Sequence, residues 1–184
     1  MATKKAAKAE EIRPAGRKGR RRLLATGLAV AVVAATFVGY WAYRAAADLP
    51  GVKLPDQGNA HIQLATEPHV PYNSDPPTSG PHMPYIAPWG IHTEPIVREL
   101  QVHNLEDGGV MVQYHCATPC PDLVTRLTEI VRRYETQVIL APYPGMRTRI
   151  ALTAWTRLDA FDDLDEARIV RFIRTYRGID HHKG

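Results

Sequence analysis

Residues 23–43, LLATGLAVAVVAATFVGYWAY, run for 21 positions without a charged side chain. No other feature restricts this chain as much. As a helix, a stretch of that length covers the roughly 30 Å of hydrocarbon in a bilayer. Arg20, Arg21 and Arg22 stand directly before it, and Tyr40, Trp41 and Tyr43 crowd its far end. Basic and aromatic residues flank membrane spans in this way, and the basic flank stays inside. Residues 1–22 are therefore expected to be a cytoplasmic tail and everything after the span to lie outside. The competing reading is a cleaved signal peptide, with the Ala run at 45–47 as its processing site. The apolar run is longer than the 7–15 residues usual for such signals, which favours an anchor.

The net charge of +4 is unevenly placed. Residues 1–22 hold nine Lys/Arg against two Glu, a surplus of +7, so residues 23–184 carry 14 Lys/Arg against 17 Asp/Glu, or −3. The outer part has no basic surplus with which to hold nucleic acid. It does hold both cysteines, Cys116 and Cys120, in the sequence HCATPC. On the oxidising side of a membrane a disulfide is the default for such a pair. A thiol at a helix N-terminus is also activated by the helix dipole, so a redox centre, or a Cu(I) site with His115 alongside, stays open. A C-x-x-x-C after a strand resembles copper-delivering thioredoxin-like proteins. Here, however, the chain is expected to run from its second strand nearly straight into a hairpin.

Ten of the fifteen prolines fall between residues 50 and 95. Residues 44–60 read as a tether, and residues 61–95 as a long proline-rich segment wrapping the domain, with Tyr85 and Trp89 folding down over the sheet. Regular structure is expected after residue 95. GVMVQY (109–114), QVILAP (137–142) and TRIALTAW (148–155) are strand candidates, with a Pro-Gly turn at 144–145. Residues 121–135 are predicted to form an amphipathic helix with Leu123, Leu127, Ile130, Val131 and Tyr134 on its apolar face. Residues 163–178 are predicted to form a second, started by a capping box of Asp163 and Glu166 and ended at Gly178. The expected fold is a small α+β domain: a mostly antiparallel sheet of three or more strands, two helices on one face, and the wrapping segment.

Six of the eight histidines lie between residues 61 and 115. Imidazole is the commonest protein ligand for zinc and copper. His61, His82 and His103 sit in three segments read as loops that could converge at one sheet edge, with Glu106 and Asp107 beside His103. The alternative is that these histidines cap turns and bond to backbone carbonyls. His181 and His182 read as solvated tail residues. No esterase, phosphate-loop or H-E-x-x-H motif is present.

The motifs YNSDPPTSGPH, VHNLEDGGV and ALTAWTRLDAFDD are those of a known group. The chain resembles the bacterial membrane-anchored proteins of domain-of-unknown-function family 3105 over roughly residues 58–178. The family pattern falls on His61, Tyr72, Pro76, Pro77, Ser79, Gly80, His82, His103, Glu106, Gly108 and Trp155. Where the family usually has histidine, this chain has Asp107. The resemblance implies a single-pass protein of the bacterial cytoplasmic membrane with its domain outside, from residue 61 to 178 and followed by a tail at 179–184. It implies no established activity. The leading expectation is a binding module that holds zinc or copper near His82 and His103, completed by Glu106, Asp107 or His61. The alternatives are an enzyme, either a metal-dependent hydrolase or a thiol oxidoreductase using Cys116 and Cys120, and an envelope structural or assembly protein that engages another envelope protein.

Overall fold

A computed structural model describes residues 16–182; most of the expected basic tail, residues 1–15, and the last two residues lie outside the described residues. The chain divides into two units at Asp48. In the first, helix α1 (Arg17–Ala47) extends the expected span at both ends. Its segment Leu23–Arg44 is long and apolar enough to cross a membrane, and none of it is buried.

The second unit is α+β. Its elements are β1 (Val52–Lys53), β2 (Gly90–Ile91), α2 (Arg98–Glu106), β3 (Val110–Tyr114), α3 (Pro121–Val131), β4 (Val138–Pro142), β5 (Ile150–Ala154), β6 (Arg157–Phe161) and α4 (Glu166–Tyr176). Six strands form one sheet in the order β1-β6-β5-β3-β4-β2. The sheet is mixed, which corrects the expectation of a mostly antiparallel one. β3 and β2 both run parallel to β4, while β5 is antiparallel to β3, and β6 to β5. The Pro-Gly turn after β4 does not make a hairpin. It carries the chain past β3 to that strand's other edge, and the hairpin is β5–β6, turning at Thr156 with φ 58°.

β3, β4 and β5 are buried on both faces, and they are mostly apolar, as strands covered on both sides tend to be. One face carries α3 and α4, whose Leu123, Leu127, Ile130, Ile169, Phe172 and Ile173 pack on Val110, Val112, Leu140 and Leu152. The cap of α4 is Asp165, which accepts a hydrogen bond from the Arg168 N–H, rather than Asp163. The opposite face carries α2, so the helices are not confined to one side. Val102 and Leu105 of α2 pack there with Met111, Ile139 and Trp155. Trp89 joins this layer, whereas Tyr85 stays 60% exposed.

Residues 49–60 do not form a free tether. Gly51 lies against Leu158 and Phe172. Val52 and Lys53 pair with β6, and the Leu54 N–H donates to the Thr156 carbonyl. Between β1 and β2 the proline-rich residues have little regular structure but several buried members. Thr78, Ser79 and His82 are fully enclosed. His82 forms an isolated bridge with His61, with the Ile62 N–H donating to the His82 carbonyl and the His82 N–H to that of Ala60.

Candidate metal centre

His103 lies in helix α2, not in a loop. The sequence H-N-L-E-D therefore puts His103, Glu106 and Asp107 at positions i, i+3 and i+4, on neighbouring turns of one face. They sit at the helix C-terminus, where the dipole already favours positive charge. The chain leaves that end through two glycines. Gly108 adopts φ 75°, and a Cβ there would meet the backbone of Ile179 at 2.8–2.9 Å. At Gly109 a Cβ would collide with the Asn104 carbonyl oxygen and meet the Trp89 ring at 2.7 Å. The two glycines thus let β3, the Trp89 ring and the C-terminal segment close tightly around the end of α2.

Glu106 is fully buried. Its Oε1 accepts a hydrogen bond from the Asn59 amide at 2.7 Å. Its Oε2 faces three imidazole Nε2 atoms: His82 at 2.9 Å, His182 at 3.5 Å and His61 at 3.8 Å. The His82 ring is oriented by its other nitrogen, Nδ1, which lies 2.7 Å from the Gly80 carbonyl oxygen. A carbonyl can only accept, so Nδ1 carries the hydrogen and Nε2 presents the side that faces Glu106. A neutral His82 would then set one lone pair against another across 2.9 Å. The arrangement needs a positive species there, either a proton or a cation.

The rings of His61, His82 and His103 lie 5.0–5.3 Å apart by centroid. Among the described residues the buried Nδ1 of His103 has no hydrogen-bond partner. Burial also pushes the His103 pKa down, which keeps that imidazole neutral and able to coordinate. Burial pushes the Glu106 carboxyl up, but the Asn59 hydrogen bond and the His82 imidazole outweigh it and hold the group below its ordinary value. Together His61, His82, His103 and Glu106 each offer one ligand atom within 4.8 Å of the others.

These four residues, all expected from the sequence, are brought together. Asp107 stands to one side, 3.8 Å from His103 Nε2, in a second group with His103 and His182. The other expected pair, Cys116 and Cys120, lies beyond the far end of β3 at disulfide distance, with Cα atoms 6.1 Å apart, and joins neither group. His69 and His92 have the humbler role of bonding backbone carbonyls, those of Val70 and Pro88.

The PPTSGPH turn, Glu106, the glycine pair and Trp155 are now fixed in one constellation, and it matches a recorded family over residues 63–183, described as a protein of unknown function (DUF3105). The chain belongs to the DUF3105 family. The family match takes in every member of the site except His61 and Asn59. No curated protein and no solved structure matches the chain.

Two contributors to this DUF3105 site escaped the sequence reading. Asn59 lies in the stretch read as a tether. His182 lies in the segment read as a solvated tail, yet that segment folds back on α2: the Gly178 N–H donates to the Gly108 carbonyl and the His181 N–H to that of Glu106. The His181 ring stacks on Trp155, 5.8 Å between centroids. The available signal was Asp180, two residues before His182, where it can hold the imidazole.

Proposed function

We propose that this protein is a membrane-anchored module outside the bacterial cytoplasm whose domain holds one transition-metal ion, zinc or copper, through His61, His82, His103 and Glu106. The observation that carries this reading is the convergence of three imidazoles and a buried carboxylate within 4.8 Å. Ligands about 2.0–2.1 Å from a tetrahedral zinc stand roughly 3.4 Å from one another. The 2.9 and 3.8 Å spacings of His82 and His61 from Glu106 bracket that value. The Gly80 carbonyl on His82 Nδ1 and the Asn59 amide on Glu106 Oε1 are the outer hydrogen bonds that orient metal ligands. Full-length protein purified in detergent should bind about one equivalent of zinc in a calorimetric titration. A folded sample with no saturable zinc or copper binding ends this reading.

The anchor rests on α1 and on Arg20–Arg22 before its apolar segment. A reporter fused after Gly184 should be active outside the cytoplasm, and the protein should stay with membranes through a high-salt wash. Recovery of a soluble form beginning near Asp48 would show a cleaved signal instead.

One observation favours a second reading, a thiol oxidoreductase. Cys120 is the N-cap of α3, and Cys116 lies just past central strand β3, so the pair sits where a helix dipole stabilises a thiolate. We assign the pair to structure, because both cysteines pack against the apolar core. Protein from oxidising cells should then show no thiols to an alkylating reagent. Reduction should cost only about 1–3 kcal/mol, since the closed loop is short. Two freely labelled thiols would defeat the structural assignment and revive the dithiol or copper role.

A further inference from the structure

We infer that the C-terminal segment supplies the closing ligand of the metal centre, with His182 as that ligand, Asp180 as the residue that aims it, and Asp107 as a carboxylate beside it; this rests on the metal reading above.

His182 is oriented as His82 is. Its Nδ1 lies 2.7 Å from Asp180 Oδ1, and its backbone N–H donates to the same oxygen at 2.8 Å. A carboxylate on Nδ1 selects the tautomer whose Nε2 carries the free lone pair, the arrangement found in carboxylate–histidine–metal sites. That Nε2 lies 3.5 Å from Glu106 Oε2 and 3.6 Å from Asp107 Oδ1. Both values are compatible with ligands that share one ion, and beside His61, His82, His103 and Glu106 His182 would be a fifth ligand. In each case the holding group is two residues earlier in the chain, Gly80 for His82 and Asp180 for His182. His82 approaches Glu106 from the buried side. His182, its side chain 46% exposed, approaches from solvent. With His61, whose side chain is 44% exposed, it forms the solvent side of the site, the side from which an ion can enter.

The segment can move without unfolding the domain. Residues 179–182 belong to no helix or strand. They are held by the His181 N–H bond to Glu106, the Ile179 N–H bond to Tyr176, the packing of Ile179 on Gly108, the ring contact of His182 with His103 and the stack of His181 on Trp155. A segment outside the sheet and helices opens at lower free energy than the core strands. Entry and release of the ion would then follow the movement of His182, and a bound ion would pin the C-terminus.

The competing account is that His182 is an imidazolium paired with Glu106 and Asp107, with no part in coordination. Zinc titrations of full-length protein in detergent, against a competing chelator at pH 7.5, separate the two. His182→Ala should weaken zinc binding by roughly 10–100-fold, and Asp180→Asn by about tenfold. Both variants should melt within about 2 °C of the parent in EDTA. Zinc should also slow removal of the C-terminal residues by carboxypeptidase in the parent but not in His182→Ala. Parent-like zinc affinity in His182→Ala, or a melting temperature that falls in EDTA without a change in zinc affinity, overturns the inference and leaves the four-residue site standing. No zinc binding by the parent removes both.

Discussion

His82→Ala should abolish saturable zinc binding, lowering affinity by at least about 100-fold. His82 is the ligand with the least freedom: it is fully buried, its Nδ1 is fixed by Gly80, and its Nε2 is the imidazole nitrogen nearest Glu106. Removing it also leaves the buried carboxylate without its closest side-chain imidazole partner, so the variant is expected to lose stability as well. His61→Ala guards against misreading an unfolded sample. The His61 side chain is 44% exposed, so its loss should leave melting in EDTA unchanged while weakening zinc by roughly 10–100-fold. Binding should weaken with acid in the parent, because ligands must shed protons to coordinate. His103 and Glu106 are both held below their ordinary values, while His182 is raised, chiefly by its hydrogen bond to Asp180, so His182 should take up a proton at higher pH than His103. Parent-like affinity in folded His82→Ala would sink the site.

The legible and illegible parts of this chain differ for physical reasons. α3 and α4 announce themselves because each buries apolar residues at helical spacing, Leu123, Leu127 and Ile130 in one and Ile169, Phe172 and Ile173 in the other. α2 does not, because much of what it buries is polar. Gln101 bonds to Gln113, Asn104 exchanges two hydrogen bonds with the backbone of Ala87, and Glu106 meets Asn59 and His82. A helix whose buried side makes hydrogen bonds has no apolar stripe to detect. Strand order was hidden for another reason. A short turn after β4 suggests a hairpin, and only the pairing of β3 with both β4 and β5 shows the crossover. The site residues could be named because six of the eight histidines fall between residues 61 and 115 and Glu106 and Asp107 stand beside His103. His182 was missed because it and Asp180 acquire meaning only once Gly108 lets Ile179 pack against the end of α2.

Glu106→Ala and Glu106→Gln should part company, and the contrast tests what the carboxylate does. Alanine removes the acceptor for Asn59 and the partner of His82 at a position with no solvent. Breaking a buried charged pair from one side costs about 3–5 kcal/mol, which for a chain of this size lowers the melting temperature by roughly 10–15 °C. Glutamine keeps the shape. Its carbonyl can still accept from Asn59, and its amide N–H can donate to the lone pair of a neutral His82, so most of the stability should remain in EDTA. It has no negative oxygen to give a cation, so zinc affinity should fall at least about 100-fold. The pH dependence has a definite sign. The Glu106 carboxyl is held below its ordinary value in the folded protein, so its stabilisation is complete above the unfolded value of about 4.3 and is lost as pH falls through the folded one. The gap between parent and Glu106→Ala should therefore narrow in acid below about pH 4. His103, lowered by burial, adds an earlier loss of stability as pH drops below about 6.5. Glu106→Gln that melts as low as Glu106→Ala would mean the charge itself holds the fold. Glu106→Gln that binds zinc as the parent does would mean the ion, if bound, is held without Glu106.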